Sequence, residues 1–245
     1  MMMRTTRRLL AAAALALPFA GVAQAQTWPE RPITMVIPFA PGGPTDVVGR
    51  MIAESMGRDL GQNVLVQNVG GAGGTTGTAR VAAAAPDGYT ILLHNIGIAT
   101  APTLYRRLPF DPVTAFETIG LVTATPMIWL ARPGLPVTSF AEMIRLVRER
   151  GEAVNLANAG LGSASQLCGT LFQASLGVRV TAVSYTGSGP IYPELMADRL
   201  DIYCDQTTSA SSFVASGRVR GLAVTTAEPM AQLPGIPTAG QAGLP

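Results

Sequence analysis

The sequence contains no lysine, and all 17 of its basic residues are arginine. A chain without lysine has neither a Walker-type phosphate-binding loop nor a lysine that could form a Schiff base with a substrate. Its single histidine and two cysteines are too few for a recognisable metal-binding cluster. The formal net charge is only +2, so charge gives no indication of nucleic-acid or membrane-surface binding. We therefore expect no metal, no cofactor and no nucleic-acid partner.

The usual sequence signatures of catalysis are also missing. There is no G-x-S-x-G motif, and a hydrolytic triad would have only His94 to use. The glycines at 71, 73 and 77 resemble a dinucleotide-binding loop, but they follow the second predicted strand and miss the G-x-G-x-x-G spacing. The sequence therefore favours a binding protein over an enzyme.

The first 25 residues have the three parts of a secretory signal peptide. A positive start with Arg4, Arg7 and Arg8 precedes an apolar run over residues 9–20, and a small-x-small cleavage site ends at Ala25. The apolar run is too short to anchor the chain in a bilayer. The adjacent arginines leave both Sec and twin-arginine export open. We expect export to the periplasm.

The two cysteines, Cys168 and Cys204, would then lie in an oxidising compartment, where a disulfide is allowed. Their spacing does not show whether their Cα atoms come close enough to be bridged. A disulfide and two buried thiols are both compatible with the sequence.

Beyond residue 26 the chain alternates short apolar strands with amphipathic helices. The first unit is a strand at 33–37, a turn with Gly42 and Gly43, and a helix from Thr45 to about Asp59. Such alternation, with short glycine turns, predicts an α/β fold with parallel-rich sheets. Further strands are predicted at 64–67, 89–93, 120–125, 127–131, 154–158, 178–184, 200–204 and 219–225. Capping boxes predict that helices begin after Ser139 and Ser163.

Four strand-to-helix turns share one construction, at Gly42 and at residues 71–74, 160–163 and 186–189. Glycine lets the backbone turn sharply or approach another group, and the helix that follows directs its free N–H groups into the turn. Together these features make an anion-binding site without a charged side chain. Ligands bind beyond the C-terminal ends of parallel strands, so two facing sheets would place four such turns around one cleft. This pattern predicts a binder of small acids, although each turn alone could simply be a tight α/β connection.

A family resemblance supports the prediction of a protein that binds small acids. Residues 38–43, with Thr45 and Asp46, resemble the first signature of the Bug-type (TctC-like) periplasmic solute-binding receptors of the tripartite tricarboxylate transporter family. Further stretches of the chain follow in the family's order, at 68–77, 85–90, 162–165, 185–190 and 233–238.

The resemblance implies a two-lobed periplasmic binding-protein (type II-like) fold. The expected divisions are a signal peptide at 1–25, lobe 1 at 26–120, lobe 2 at 121–225 and the start of a segment returning to lobe 1 at 226–245. Because family members continue beyond that last segment, the first lobe is expected to be incomplete. The implied function is capture of a small carboxylate in the inter-lobe cleft by a monomer that delivers it to membrane transporter subunits. The alternatives are a non-binding truncated remnant of such a receptor and a secreted α/β enzyme.

The resemblance also implies the ligand-binding residues. Gln166 stands where members usually have histidine, and Thr186 where lysine usually follows the tyrosine, so the identity of the acid stays open. Asp205 could orient a water or accept from a ligand hydroxyl, or it could cap the following helix. The candidate ligand-binding residues are Phe39, Ala40, Gly42, Gly43, Thr45, Gly71, Ala72, Gly73, Gly74, Gly162, Ser163, Thr186, Gly187 and Asp205.

Overall fold

The computed structural model describes residues 28–244 of the 245-residue chain, so the expected signal peptide lies outside the described residues. Residues 31–244 belong to one compact unit, which contains two separate β-sheets. The first sheet takes its strands from residues 33–92 and the second from residues 127–224. Among the described residues, no helix is both long and apolar enough to cross a bilayer.

The first sheet has three parallel strands in the order β2-β1-β3. Met35 and Ile37 of the central strand pack against Ala53 of the first helix, and this contact forms the core beneath the sheet. The elements of this region are β1 (Ile33–Ile37), α1 (Pro44–Leu60), β2 (Val64–Asn68), a 3-10 turn (Ala72–Gly74), α2 (Thr75–Ala82), β3 (Thr90–Leu92) and α3 (Gly97–Leu104).

The second sheet has five strands in the order β6-β5-β7-β4-β8. Strand β5 is parallel to β6 and β7, whereas β4 is antiparallel to β7 and β8. One apolar cluster contains Trp129, Phe140 and Phe172, and another contains Tyr192 and Tyr203. The elements are β4 (Met127–Ala131), α4 (Phe140–Arg150), a 3-10 turn (Gly151–Ala153), β5 (Asn155–Asn158), α5 (Ala164–Leu176), β6 (Thr181–Ser184), α6 (Ile191–Met196), β7 (Ile202–Gln206), α7 (Thr207–Ala215) and β8 (Arg220–Val224).

Both predicted capping boxes are present. The Ser139 hydroxyl accepts a hydrogen bond from Glu142 N–H at 3.2 Å at the start of α4. The Ser163 hydroxyl accepts from Gln166 N–H at 3.3 Å at the start of α5, while Gln166 Oε1 accepts from Gly162 N–H at 3.2 Å. These bonds satisfy N–H groups that have no partner inside the helix. Gln166 thus closes the turn that precedes its own helix.

The prediction of a strand at 120–125 is wrong. Residues 117–126 have no regular secondary structure, and neither sheet of the described chain includes them. A strand is stable only when a neighbour satisfies its backbone groups, and none lies alongside this segment in the described residues. As a result Ile119 and Leu121 are 82% and 89% exposed.

Helix α3 was not predicted from the sequence, because Pro102 lies inside it. Proline normally interrupts a helix, because it lacks a backbone N–H and its ring clashes with the preceding turn. The helix begins where the Asn95 side-chain oxygen accepts a hydrogen bond from Gly97 N–H at 2.9 Å.

Candidate functional site

Four glycine-containing turns lie at the C-terminal ends of parallel strands. The first turn (residues 38–43) joins β1 to α1, and the second (69–74) joins β2 to α2. The third (159–163) joins β5 to α5, and the fourth (185–190) joins β6 to α6. The structure brings all four together, with the first turn against the fourth and the second against the third.

The first and fourth turns are in direct backbone contact. Ala40 N–H donates to the Thr186 carbonyl at 3.1 Å. A β-carbon on Gly189 would overlap the Pro41 carbonyl oxygen, and one on Gly187 would lie 2.6 Å from the Ala40 nitrogen. Glycine is therefore required at both positions for the turns to approach this closely.

The second and third turns are in similar contact. A β-carbon on Gly73 would overlap the Leu161 carbonyl oxygen, and the backbone of Gly73 has a φ of +61°. The Tyr105 hydroxyl lies 2.6 Å from the Ala72 carbonyl and 3.0 Å from the Leu161 carbonyl, so it donates between the two turns. The Thr100 hydroxyl donates to the Gly162 carbonyl at 3.1 Å. Both side chains extend the contact between turns, and neither was identified from the sequence.

Asp46 fixes the shape of the first turn. Its carboxylate accepts from Gly42 N–H at 3.0 Å, Arg50 Nε at 3.0 Å and Asn68 Nδ2 at 2.9 Å. Asn68 Nδ2 also lies 3.1 Å from the Phe39 carbonyl, which links the end of β2 to this turn. Burial raises the pKa of Asp46, but these three donors outweigh burial and hold the pKa below its usual range. Asp46 is therefore an ionised anchor for the turn.

Asp205 lies beneath the fourth turn and is only 2% exposed. It accepts hydrogen bonds from the hydroxyls of Ser188 (3.0 Å), Tyr192 (2.6 Å) and Ser209 (2.7 Å). Burial raises the pKa of Asp205 in spite of these donors. The Ser188 hydroxyl also accepts from the Tyr203 hydroxyl at 2.6 Å, so its own proton is committed to Asp205. Because Ser188 belongs to the fourth turn, this network fixes the position of that turn relative to β7.

A cavity of about 10 Å³ remains between the turns, enough for about one water molecule. Four of the candidate residues from the sequence line it, namely Phe39, Gly43, Thr45 and Ser163. The other candidates in the turns do not line the cavity. Asp205 does not line it either and lies in the hydroxyl network beneath the fourth turn. Sequence analysis did not identify the other seven lining residues, of which four are polar, namely Asn95, Ser165, Ser188 and Gln206.

A groove of about 750 Å³ opens beside this cavity. The two spaces share Pro44 and Thr45 at the start of α1, Ala164 at the start of α5, and the side chains of Asn95 and Gln206. Two helix N-termini, with their unpaired N–H groups, therefore meet at the junction between cavity and groove. In the described part of the chain, no residue lining either space carries a permanent charge.

His94 borders the groove close to the first and second turns. Its ring meets the Phe39 ring edge-on, with 5.4 Å between centroids, and it also lies against Gly74. Its Nδ1 accepts from Asn95 N–H at 2.8 Å. Burial lowers the pKa of His94 to about 4, although contacts with Asn95 raise it in part. The imidazole is therefore neutral at pH 7.

The two cysteines form a disulfide, which settles the alternative left open by their spacing. Cys168 of α5 and Cys204 of β7 are bridged, with 6.3 Å between their Cα atoms. The bond joins the helix that begins at the third turn to the strand that carries Asp205 and Gln206. Two parts of the candidate site are thus covalently connected.

Comparison with known proteins shows the family of this chain. The model of the tripartite tricarboxylate transporter family receptors, TctC, matches residues 48–244. A protein of Agrobacterium vitis, encoded in the ttuE-ttuC' intergenic region, is 44% identical over 91% of this chain. The chain spans 65% of the length of that relative.

Solved structures of similar proteins share the fold. The periplasmic binding protein BugD superposes with a TM-score of 0.86 at 46% identity, covering 89% of this chain and 73% of BugD. MatC of Rhodopseudomonas palustris, solved with bound malate, has a TM-score of 0.85 at 37% identity, covering 89% and 74% of the two chains. An R. palustris protein solved with adipate has a TM-score of 0.85 at 35% identity, covering 89% and 73%. The predicted periplasmic binding-protein fold is confirmed, and the chain belongs to the TctC family of tripartite tricarboxylate transporter receptors, the Bug-type receptors that its sequence resembles.

Proposed function

We propose that this protein is a periplasmic solute-binding receptor that captures a small organic acid and delivers it to a tripartite tricarboxylate-type transporter. The observation that carries the proposal is the meeting of four glycine turns from two sheets around donors that are all uncharged. The family consists of receptors, and we propose that this member likewise binds its ligand without converting it. The Cys168–Cys204 disulfide supports an oxidising compartment such as the periplasm.

The ligand class follows from the type of donors. Backbone N–H groups and hydroxyls stabilise an anion, and they leave a cation without acceptors of opposite charge. The malate and adipate bound by two similar proteins are both dicarboxylates, which supports a carboxylate here. We therefore propose that Thr45, which lines both spaces, contacts the acid directly, and that Gly43 and Ser163 contact it through a water in the cavity. The remaining candidate residues in the turns hold this arrangement together.

The free energy needed to bind a small acid can come from a site without charged side chains. A helix N-terminus contributes about 0.3–1 kcal/mol to a bound anion when exposed, and up to about 2 kcal/mol when partly buried. Micromolar binding requires about 8 kcal/mol, so direct hydrogen bonds and bridging water must contribute most of the remainder. Because the cavity of about 10 Å³ is too small for an acid, the carboxylate would lie at its mouth, where it opens into the groove.

Thermal unfolding in the presence of malate, adipate and other small acids tests the function. A ligand present at 100 times its Kd should add about 2.7 kcal/mol to the free energy of unfolding. Diols of matched chain length are the control, since they lack the carboxylates. If no acid raises the melting temperature of the folded protein, the receptor proposal is wrong; if an acid is chemically converted, the protein is an enzyme.

Replacing Gly189 by alanine should weaken acid binding. The added methyl group overlaps the Pro41 carbonyl, so the first and fourth turns must separate and the donors at the cavity mouth lose their alignment. Overpacking of this kind costs about 1–3 kcal/mol, which corresponds to a roughly 5- to 150-fold rise in the Kd measured by calorimetry. Gly240→Ala is the matched control, because its methyl group would lie no closer than 3.9 Å to another atom. Equal affinity of the two variants would show that contact between the turns is not needed for binding.

A further inference from the structure

Asp205 is a buried carboxylate that lies one hydroxyl group away from the cavity. Its Oδ1 accepts a hydrogen bond from the Ser188 hydroxyl at 3.0 Å, and Ser188 lines the cavity. The two residues are only 2% and 4% exposed. Strand β7 carries Asp205 and the fourth turn carries Ser188, so the contact lies wholly within the region of the second sheet.

The negative charge of Asp205 has no cation beside it. Within residues 28–244, neither the strands next to β7 (β4 and β5) nor the helices around it (α5, α6 and α7) carry an arginine. Apart from the bridged cysteines, the other titratable side chains of these elements, of β7 and of the fourth turn are Tyr185, Tyr192, Glu194 and Tyr203. Glu194 is bonded to Arg199 at 2.7 Å, at the protein surface.

Only Asp205 changes its charge inside this cluster between acidic and neutral pH. Burial raises the pKa of Tyr192 and of Tyr203, so both hydroxyls stay protonated. Burial also raises the pKa of Asp205, which brings its protonation closer to neutral pH.

The two oxygens of Asp205 are held unequally. Oδ2 accepts from Tyr192 at 2.6 Å and from Ser209 at 2.7 Å. In the described chain, the only side-chain hydrogen bond to Oδ1 is the longer one from Ser188, at 3.0 Å. Oδ1 is therefore the oxygen that takes up a proton more readily.

Ser188 connects this oxygen to the cavity. Its hydroxyl accepts from Tyr203 at 2.6 Å and donates its single proton to Asp205, so it meets the cavity with a lone pair. When a proton enters from the cavity, Ser188 can pass its own proton to Asp205 Oδ1 and keep the new one. One O–H bond of Ser188 breaks and another forms, Asp205 becomes neutral, and Ser188 becomes a donor toward the cavity.

We propose that the acid is captured together with a proton, which passes from solvent through Ser188 to Asp205 as the anion binds. The inference rests on the proposed function and assigns Asp205 as a positioning residue that does not touch the acid. A carboxylate at the cavity mouth would lie about three hydrogen bonds, roughly 8 Å, from the Asp205 charge. Two negative charges at that distance in a partly buried site change a protonation equilibrium roughly 10- to 30-fold. Uptake of the proton removes this repulsion and adds the Ser188 donor.

Titration calorimetry of the parent protein with malate, adipate, succinate and acetate measures the proton. At pH 6.5 each acid is titrated in MES and in imidazole, two buffers with different enthalpies of ionisation. We expect the binding enthalpy to differ between the buffers in the direction of proton uptake, and the Kd to rise roughly tenfold from pH 5.5 to 7.5. If an acid binds with one enthalpy in both buffers and one Kd at both pH values, this inference is wrong and the proposed function stands. If no acid binds at any pH, both are wrong.

Asp205→Asn gives Ser188 the partner that a protonated Asp205 would give. The amide nitrogen can donate to the Ser188 oxygen, while the amide oxygen still accepts from Tyr192 and Ser209. We expect this variant to bind acids roughly tenfold more tightly than the parent at pH 7.5, with no proton uptake. If Asp205 were needed for the fold alone, its replacement would weaken binding at every pH.

Asp201→Asn is the matched control. Asp201 precedes the opposite end of β7, accepts from Arg132 at 2.9 Å, and lines neither the cavity nor the groove. Its replacement should leave proton uptake and the pH dependence of the Kd as in the parent. Urea unfolding midpoints establish that each variant is folded before binding is compared.

His94→Gln distinguishes Asp205 from the titratable side chains of the first-sheet region. Asp46 and His94 both contact the first turn there, and Asp46 already has its charge balanced by Arg50. His94→Gln should therefore take up a proton on binding as the parent does, and this holds as a test even if Asp205→Asn does not fold. Uptake that disappears in His94→Gln, or that persists in Asp205→Asn, would place the proton elsewhere and overturn the inference.

Discussion

Removing the Cys168–Cys204 disulfide is expected to lower the free energy of unfolding by about 4 kcal/mol. The cysteines are 36 residues apart in sequence, and closing a loop of that length restricts the unfolded chain by roughly this amount in the chain-entropy model. For a chain of this size, the loss corresponds to a fall in melting temperature of roughly 8–16 °C. Cys204 is fully buried in the main apolar cluster, so its reduced thiol gains no compensating solvation.

Urea unfolding of the Cys168→Ala/Cys204→Ala protein, compared with the oxidised parent, measures this effect. Treating the parent with a reductant should move its midpoint toward that of the double variant. The same reductant should leave the double variant unchanged, because that protein has no remaining cysteine. Coincident midpoints for oxidised parent and double variant would show that the bond does not contribute to stability.

The site should be affected more than the rest of the fold. Cys204 immediately precedes Asp205 and Gln206, and Cys168 lies one turn into the helix that begins after Ser163. Without the bond, α5 and β7 are held together by packing alone. We therefore expect the double variant to bind acids more weakly even at temperatures where it is fully folded.

The local elements of the fold could be predicted because their causes are local. Ser139 caps a helix by accepting from a residue three positions away, and this needs nothing from elsewhere in the chain. The apolar run at 33–37 is a strand because β2 and β3 pair with it. The segment at 120–125 has the same apolar character, but its strand state depends on a neighbour, and no strand pairs with it in the described residues. Pairing between distant segments is not encoded in the composition of either one.

The same limit applies to the candidate site. The four turns could be predicted from their glycines and the helices that follow, but not which turn contacts which. That pairing depends on backbone approaches such as Gly189 to Pro41, between residues almost 150 positions apart. Asn95 and Gln206 were missed because each is a single polar residue near a strand end, without a motif to distinguish it. Only the fold places them at one junction with Thr45.

Acidification is expected to destabilise the protein through His94. Burial lowers the pKa of this residue to about 4, whereas an unfolded histidine titrates near 6.5. The unfolded chain therefore takes up a proton first as the pH falls, and stability that is fully present above pH 6.5 is lost as the pH falls toward 4. Between pH 7.5 and 4.5 the expected loss is about 2.5 kcal/mol.

His94→Gln isolates this contribution, because His94 is the only histidine in the chain. Its free energy of unfolding, measured with urea at both pH values, should fall by about 2.5 kcal/mol less than that of the parent. Asp205 also titrates differently in the folded state, and its raised pKa acts in the opposite direction, favouring the folded protein at low pH. Both proteins retain Asp205, so its effect cancels in the difference. A parallel pH dependence in the two proteins would mean that the His94 imidazole accepts its proton as readily in the folded chain as in the unfolded one.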